Sequence, residues 1–326
     1  MKAFVIQNGT YEMTDMPEQE TGANDVTVNM TFVGLNRRDL YIKNRLGNDP
    51  NALILGSDGV GIVEKVGDQV SHIKEGDKVI INPSLAWEKI SHAPPASFDI
   101  LGMPDHGTFA EKITIDASQV MQKPAYLTDA EAATVALAAL TAYRAMFTQG
   151  RLQKDETVFI PGGSSGVSQF LIQFAIHSGA RVITSSRDLK KRAHLQELGA
   201  HLVIDSAADW SEVLADEKID LVIESVGAAT FNRSLAVVKQ GGRVVVFGAT
   251  AGDEVTLNLR DFFYGQYHLI GSTMGSKEEL QEALTLMEAH HIKPIIGHEY
   301  VFNDLALALT DLEANKYFGK LTVKVL

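Results

Sequence analysis

The chain has 326 residues, a length that predicts two domains of ordinary size. Hydrophobic residues make up 45 % of the chain and charged residues 21 %, which is enough apolar material for sizeable cores. The net charge of −12 argues against a general nucleic-acid binder, because phosphate contacts require a basic surface. Cysteine is absent, which excludes disulfides and every cysteine-ligated metal site.

The sequence contains no sign of a membrane segment or a signal peptide. No apolar run approaches the roughly 20 residues that cross a bilayer. The first seven residues, MKAFVIQ, are typical of a strand and lack the basic, apolar and small-residue regions of a signal peptide. We therefore expect a cytoplasmic protein that binds neither membranes nor nucleic acids.

The first 120 or so residues alternate between short apolar runs and turns. The predicted strands cover residues 2–7, 26–33, 61–66, 78–81 and 109–115. Strands at this spacing predict a small, mostly antiparallel β domain.

From about Ala130 the pattern changes to strands that alternate with helices. The predicted strands cover residues 157–161, 181–184, 202–204, 220–223 and 243–247, and the first two helices cover 166–178 and 188–198, the second stopped by Gly199. This alternation predicts an α/β fold with a doubly wound parallel sheet.

The tail returns to a mixed pattern and is too short to form a domain of its own. It contains predicted strands at 269–272 and 321–326 and helices at 277–290 and 304–314. We expect it to rejoin the β domain, so the predicted domains are 1–121 with 268–326, and 122–267.

Residues 158–167 (VFIPGGSSGV) are typical of a strand, a glycine-rich turn and a helix start. Such a turn brings backbone N–H groups close to a pyrophosphate at a helix N-terminus. The predicted ligands are Gly163, Ser164, Ser165, Gly166 and Val167. The third glycine of the usual pattern, expected near Ser168 or Gln169, is missing, and an ordinary strand-to-helix connection is the alternative. Its place at the start of a parallel sheet favours the dinucleotide.

The end of the second strand indicates which dinucleotide binds. An NAD site needs an acidic side chain about 20 residues after the glycines, to bind the ribose 2′-OH. Here hydroxyl and basic residues stand instead, which favours the 2′-phosphate of NADP(H). The predicted contacts are Ser185, Ser186, Arg187 and Lys191. Two alternatives stay open: Lys190, Lys191 and Arg192 form a solvated helix face, or Asp188 binds a 2′-OH.

Landmarks over essentially the whole chain carry a family resemblance. They are residues 34–41 (GLNRRDLY), 55–61 (LGSDGVG), 107–111 (GTFAE), 139–143 (ALTAY), 225–227 (SVG), 241–243 (GGR), 247–250 (FGAT), 271–275 (GSTMG) and 319–320 (GK). In this order they resemble the medium-chain dehydrogenase/reductase superfamily, and within it the zinc-free quinone oxidoreductase branch with its zeta-crystallin-like proteins.

The resemblance implies a GroES-like, β-rich catalytic domain and a Rossmann nucleotide domain, with the active site in the cleft beside the latter. It implies that residues 247–250 run close to the nicotinamide. The further cofactor contacts that it implies are Val226, Phe247, Gly248, Ala249, Thr250 and Lys320.

Zinc alcohol dehydrogenases share these landmarks. In that relative a cysteine zinc ligand stands at the position of Asn36 and a histidine at that of Ser57. Neither replacement is a good zinc ligand, and the segment 82–104, where a structural zinc lobe would fall, is a loop of unknown role. His290 and His291 are expected to end a helix near Pro294 rather than to bind metal.

Without a metal, a developing negative charge on the acceptor oxygen needs hydrogen-bond donors. The resemblance places an Asn and a Tyr at the spacing of Asn36 and Tyr41 facing the cleft, so these are the predicted catalytic residues. Simple loop packing is the alternative for Tyr41, and water could supply the proton. Arg38 and Asp39 are expected to form a structural ion pair.

The sequence thus predicts an NADPH-dependent reductase of a small quinone or α,β-unsaturated carbonyl acceptor. A non-catalytic NADP-binding sensor or structural protein is the second possibility, and a zinc alcohol dehydrogenase is the third. We expect a homodimer formed through an exposed strand, either 244–247 or 269–272. Neither the individual acceptor nor a choice between dimer and tetramer follows from the sequence.

Overall fold

The protein is described by a computed structural model that covers residues 1–326. The chain divides into two compact units, unit 1 with Met1–Ala138 and Gly275–Leu326, and unit 2 with Ala139–Met274. No helix of the chain combines the length and the apolar composition that crossing a bilayer requires.

The first part of unit 1 is rich in strands. Its elements are β1 (Lys2–Gln7), β2 (Thr10–Asp15), β3 (Asp25–Gly34), α1 (Arg37–Leu46), β4 (Leu53–Ile54), β5 (Asp58–Val66), β6 (Lys78–Ile81), β7 (Ser84–Leu85), β8 (Asp99–Ile100), β9 (Lys112–Asp116), β10 (Val120–Gln122) and α2 (Asp129–Ala132). Helix α3 (Ala136–Tyr143) spans the boundary at residue 138.

Unit 2 alternates strands and helices. Its elements are β11 (Thr157–Ile160), α4 (Ser168–His177), β12 (Arg181–Ser186), α5 (Leu189–Glu197), β13 (Leu202–Asp205), α6 (Trp210–Val213), β14 (Ile219–Glu224), α7 (Phe231–Val237), β15 (Val238–Val246), α8 (Leu259–Gly265) and β16 (His268–Gly271). Unit 1 resumes with α9 (Lys277–Ala289), β17 (Ile296–Val301), α10 (Leu305–Glu313) and β18 (Lys320–Lys324).

Unit 1 is built on a seven-stranded sheet in the order β10-β6-β5-β3-β18-β17, with β9 also paired to β3. All its pairs are antiparallel except β17 with β18. Along β3 the apolar side chains of Val26, Val28 and Met30 are fully buried, because alternate residues of a strand point to one face. A separate three-stranded sheet has the order β2-β1-β4.

Unit 2 is a six-stranded, entirely parallel sheet in the order β13-β12-β11-β14-β15-β16. Each of the four residues of β11 is buried, as expected for a strand covered by helices on both faces. The strand order reverses between β11 and β14, and ligands of such sheets bind beyond the carboxyl ends of the strands at this point. The predicted α/β fold, with a GroES-like β domain and a Rossmann domain, is confirmed.

The domain boundaries and the exposed strand differ from the sequence-based prediction, which also lacked β2 and β17. The unit boundaries lie at 138/139 and 274/275 instead of 121/122 and 267/268. The second boundary lies later because β16 pairs with β15 and so extends the parallel sheet of unit 2. Residues 244–247 are not an exposed strand, because β15 lies between β14 and β16. The two edge strands of the sheet are β13 and β16, and on β16 the side chain of Leu269 is 46 % exposed.

The segment 82–104, predicted to be a loop of unknown role, is bonded to the start of α9. The Trp87 side chain is buried and packs edge-on against Phe98, with ring centroids 5.1 Å apart. The N–H of Lys277 donates to the Trp87 carbonyl (2.8 Å), and that of Glu278 donates to the Glu88 carbonyl (3.1 Å). Apolar packing and helix-terminal N–H groups therefore hold this loop in place.

Candidate dinucleotide site and buried polar cluster

The turn between β11 and α4 requires glycine at two positions. Gly162 has a φ of +70°, in the left-handed region that glycine adopts most readily. At Gly163 an added Cβ would lie 2.0 Å from Thr184 Oγ1, so any larger residue would push the turn away from β12. Glycine is therefore required at position 162 by the backbone conformation and at position 163 by the contact with Thr184.

Ser168 explains how the turn forms without its third glycine. Its hydroxyl is buried, donates to the Gly162 carbonyl (3.1 Å) and lies 2.8 Å from the hydroxyl of Ser165. The Ser168 N–H also donates to Ser165 Oγ (3.1 Å). The serine thus bonds back to the turn.

The turn leaves three backbone donors without a protein acceptor. The N–H groups of Gly163 and Ser165 donate to the carbonyls of Ser185 and Gly162, whereas those of Ser164, Gly166 and Val167 make no hydrogen bond within the protein. These three groups precede the first turn of α4, whose dipole favours negative charge. The arrangement fits the pyrophosphate of a dinucleotide.

The two serines that end β12 are enclosed by the fold. Ser185 has no exposed surface, and its hydroxyl accepts from the Gly162 N–H (3.3 Å) and from Ser206 Oγ (3.1 Å). Ser186 is 4 % exposed, and its hydroxyl accepts from the Asp188 N–H (3.3 Å). Ser185 thus supports the phosphate turn, and the contact of both serines with a 2′-phosphate stays a prediction.

The charged residues after β12 have distinct partners. Asp188 is the N-cap of α5, and its Oδ1 accepts from the Lys191 N–H (3.0 Å), a hydrogen bond that lowers the pKa of the carboxyl. Arg192 pairs with Asp205 (2.8 Å). The side chain of Arg187 is exposed and has no hydrogen-bond or ion-pair partner. In this group the Arg187 guanidinium is free to bind a ligand, whereas the Asp188 carboxylate caps the N-terminus of α5.

A buried carboxylate that the sequence analysis missed shapes the loop after β14. Glu224 is fully buried, and its Oε1 accepts from the N–H groups of Val226 (2.7 Å) and Gly227 (3.3 Å). Its Oε2 accepts from the Ser234 hydroxyl (2.6 Å). The only signal in the sequence is an acidic residue at the end of an apolar strand, immediately before SVG.

The loops after β14 and β15 are bonded to each other at one end of the sheet. The Thr250 N–H donates to the Ser225 carbonyl (3.3 Å), and the Ala251 N–H donates to the Val226 carbonyl (2.7 Å). Parallel strands end at the same sheet edge. The carboxyl end of the parallel sheet, where the phosphate turn lies, therefore also carries Val226 and the predicted residues Phe247, Gly248, Ala249 and Thr250.

Unit 1 contains a buried polar cluster around Asn36, the residue before α1. The Asn36 side chain donates from Nδ2 to Asp58 Oδ2 (2.8 Å) and accepts at Oδ1 from Lys320 Nζ (2.5 Å). Its backbone N–H donates to Asp39 Oδ2 (2.8 Å). The side chain of Asn36 is thus held between a carboxylate and an ammonium.

Lys320 and Asp58 are enclosed in unit 1. The Lys320 ammonium also donates to the Leu35 carbonyl (2.8 Å) and lies 3.7 Å from Asp58 Oδ2, whose Oδ1 accepts from the Leu137 N–H (2.8 Å). Burial lowers the pKa of Lys320, and Asp58 opposes this. The predicted contact of Lys320 with the cofactor stays a prediction; in the structure its ammonium is buried and bonded to acceptors of unit 1.

The expected ion pair between Arg38 and Asp39 does not form. Arg38 Nη1 donates to Ser57 Oγ (2.6 Å) and to the Leu101 carbonyl (2.9 Å). Asp39 is fully buried, its Oδ1 has no hydrogen-bond partner, and burial raises the pKa of its carboxyl to about 6 although Arg38 opposes the rise. The side chains of Arg38 and Asp39 therefore interact only through longer-range electrostatic attraction.

Tyr41 lies outside this cluster. It is on α1, 39 % of its surface is exposed, and its hydroxyl has no hydrogen-bond partner. The structure therefore places Asn36 in the buried cluster and Tyr41 on the exposed face of α1.

Two family profiles match the chain. The one described as alcohol dehydrogenase GroES-like domain matches residues 22–125, and the one described as zinc-binding dehydrogenase matches residues 166–289. A 2-methylene-furan-3-one reductase of Solanum lycopersicum is 30 % identical over 92 % of this chain and 71 % of its own. The chain belongs to the medium-chain dehydrogenase/reductase superfamily.

Other members of the superfamily are similar over most of the chain. A quinone oxidoreductase of Mus musculus is 28 % identical over 89 % of this chain and 86 % of its own. The crystal structure of an NAD-dependent alcohol dehydrogenase superposes with a TM-score of 0.93 at 30 % identity and covers 100 % of both chains.

The name of the zinc-binding profile raises the question of whether this superfamily member could hold zinc. Asn36 and Ser57 stand at the expected ligand positions, but Lys320 and Arg38 direct cationic N–H groups at their oxygens. Amide and hydroxyl oxygens are poor zinc ligands, and the adjacent Lys320 and Arg38 cations oppose the binding of a dication. No group of three or more His, Cys, Asp or Glu in the chain could hold a metal. The residues present do not fit zinc.

Proposed function

We propose that the protein is an NADPH-dependent oxidoreductase that reduces a small quinone or α,β-unsaturated carbonyl compound without zinc. Bound NADPH would supply the hydride. The observation that carries the proposal is the phosphate turn, whose free N–H groups at Ser164, Gly166 and Val167 precede a helix N-terminus.

The choice of NADPH over NADH rests on the residues after β12. Asp188, the acidic candidate for a ribose 2′-OH, caps α5 with its carboxylate. Arg187 carries an exposed guanidinium without a protein partner, which suits a bidentate contact with a 2′-phosphate. We propose Arg187 as the main 2′-phosphate ligand, with Ser186 and Lys191 beside it.

The acceptor class is supported by chemistry and by the names of relatives. Because the residues present do not fit zinc, hydrogen bonds must polarise the carbonyl oxygen of the acceptor. Hydride addition to a quinone or enone spreads the resulting negative charge over a conjugated system. Two similar proteins are named as a quinone oxidoreductase and as a reductase of a methylene-furanone. We propose that Asn36 donates to the acceptor oxygen and that the proton comes from Tyr41 or water.

The test is the oxidation of NADPH, followed by absorbance, with a panel of 1,4-quinones and enones before and after treatment with a chelator. We expect turnover that the chelator leaves unchanged. Loss of activity with the chelator would indicate a zinc enzyme. Tight NADPH binding without turnover of any acceptor would indicate a non-catalytic binding protein.

We further propose a homodimer formed through β16. This strand is one of the two edge strands of the parallel sheet, and the preceding helix α8 exposes the aromatic side chains of Phe263 (53 %) and Tyr264 (66 %). Pairing of two such edges covers unpaired backbone groups and apolar surface together.

A further inference from the structure

The buried cluster of unit 1 holds a neutral amide between two opposite charges. Asn36 Oδ1 faces the Lys320 ammonium and its Nδ2 faces the Asp58 carboxylate. An amide that flips would turn its NH₂ toward a cation and its oxygen toward an anion, so both contacts become repulsive. The orientation of the Asn36 amide is therefore fixed.

The same contacts leave one donor of the amide unused. The Asn36 NH₂ carries two hydrogens, and Asp58 is the sole hydrogen-bond acceptor that the protein provides for them. The ammonium on Oδ1 draws electron density from the amide, and the carboxylate on the first N–H acts in the opposite direction. Asn36 is 6 % exposed, and its second Nδ2–H has no acceptor within the protein.

We propose that Lys320 and Asp58 are positioning residues that lock the Asn36 amide and thereby aim its second Nδ2–H at the carbonyl oxygen of the acceptor. The ammonium supplies, through one side chain, the positive charge that a metal supplies directly in zinc dehydrogenases. This inference rests on the proposed reductase function and deepens it, since it assigns a role to two residues that do not themselves touch the acceptor.

The surroundings of Lys320 and Asp58 hold both side chains in place. Lys320 Nζ is bonded to the Leu35 carbonyl and Asp58 Oδ1 to the Leu137 N–H, so each charged group has a backbone partner in addition to Asn36. The side chains of Lys320 and Asp58 are 4 % and 0 % exposed. Water therefore competes little with these bonds.

The test compares the effect of Asn36→Ala in two backgrounds, wild type and the charge-free variant Asp58→Asn/Lys320→Met. We expect Asn36→Ala to lower kcat/KM about 100-fold or more in the wild type, the usual loss for one oxyanion donor. In the charge-free background the same substitution should cost less than about twofold, because an unlocked amide contributes little. Equal losses in both backgrounds would overturn the proposal.

Two measurements separate positioning from other roles. NADPH affinity should be the same in the charge-free variant as in wild type, and a tenfold loss would make Lys320 a cofactor ligand and overturn the proposal. Lys324→Met, at the exposed end of β18, is the matched control and should leave kcat/KM unchanged. If the charge-free variant does not fold, Asp58→Asn alone serves as background, since it keeps an acceptor for the Leu137 N–H.

A readout without turnover distinguishes failure of this inference from failure of the proposed function. In ¹⁵N-labelled protein the Asn36 side-chain resonance, identified by its loss in Asn36→Ala, should show one slowly and one rapidly exchanging proton. Removal of the charged pair should make both exchange alike. If the wild type turns over no acceptor, the reductase proposal fails. If the two Asn36 side-chain protons exchange alike in the wild type, the proposal that Lys320 and Asp58 fix the amide is overturned.

Discussion

The carboxyl group of Asp39 allows a stability prediction with a defined sign. The residue is fully buried and its Oδ1 has no donor, so ionisation there is unfavourable and the pKa rises from 3.8 to about 6. A difference of about 1.36 kcal/mol for each pKa unit gives roughly 3 kcal/mol for the full rise. We predict that Asp39→Asn removes this pH-dependent contribution, while the amide oxygen still accepts from the Asn36 N–H.

The sign follows from proton binding in the two states. Between pH 3.8 and about 6 the folded protein binds the Asp39 proton more tightly than the unfolded chain does. This contribution to the free energy of unfolding is fully present below the unfolded pKa and is lost as the pH rises through the folded pKa. The unfolding free energy of Asp39→Asn relative to wild type should therefore increase by roughly 3 kcal/mol between about pH 4 and pH 7.5.

The assay is urea unfolding followed by tryptophan fluorescence. The chain has 2 tryptophans, Trp87 in unit 1 and Trp210 in unit 2, both buried, so a Trp210→Phe background reports on the unit that contains Asp39. Each variant is measured across the pH range in that background. A difference between the variants that stays constant with pH, or that falls as the pH rises, would show that the Asp39 carboxyl has no raised pKa in the folded protein.

Three further predictions concern the cofactor and the assembly. Gly163→Ala should lower NADPH affinity at least about tenfold, because the new Cβ would meet Thr184 Oγ1 at 2.0 Å and displace the turn; fluorescence titration measures it. Arg187→Ala should weaken NADPH binding about 10- to 100-fold and NADH binding less than about twofold, since a charge-assisted contact contributes roughly 1.5–3 kcal/mol. Leu269→Asp should convert the dimer to monomer in light scattering, because it places a charge on the edge strand β16.

Each of these predictions has a matched control. Gly271→Ala meets no atom within 4 Å and should leave NADPH affinity intact; equal losses at both glycines would contradict the steric reason. Arg260→Ala removes another exposed arginine of unit 2 and should affect neither cofactor. Leu307→Asp, on exposed surface of unit 1, should leave the dimer intact, and a monomeric wild type would reject the interface.

The fold could be predicted because its signals are local. Apolar runs, turn residues and the stop at Gly199, where φ is +102°, gave strands and helices near the observed bounds. The boundary near residue 268 differed because the partner of β16 is β15. The sequence of a four-residue strand does not indicate which of the two sheets it joins.

The site was predicted less completely, because burial of polar groups depends on distant contacts. Lys320 and Asn36 are 284 positions apart in sequence, and no spacing rule could show that the ammonium bonds to the amide. Ser185 similarly faces the phosphate turn rather than solvent because Gly162 and Ser206 converge on it.

The most direct test of the account is a side-by-side titration of the wild-type protein with NADPH and NADH, followed by nucleotide fluorescence. The account predicts saturable binding of both through the phosphate turn, with NADPH at least about tenfold tighter through Arg187. Equal affinities, a preference for NADH, or no binding of either would contradict it.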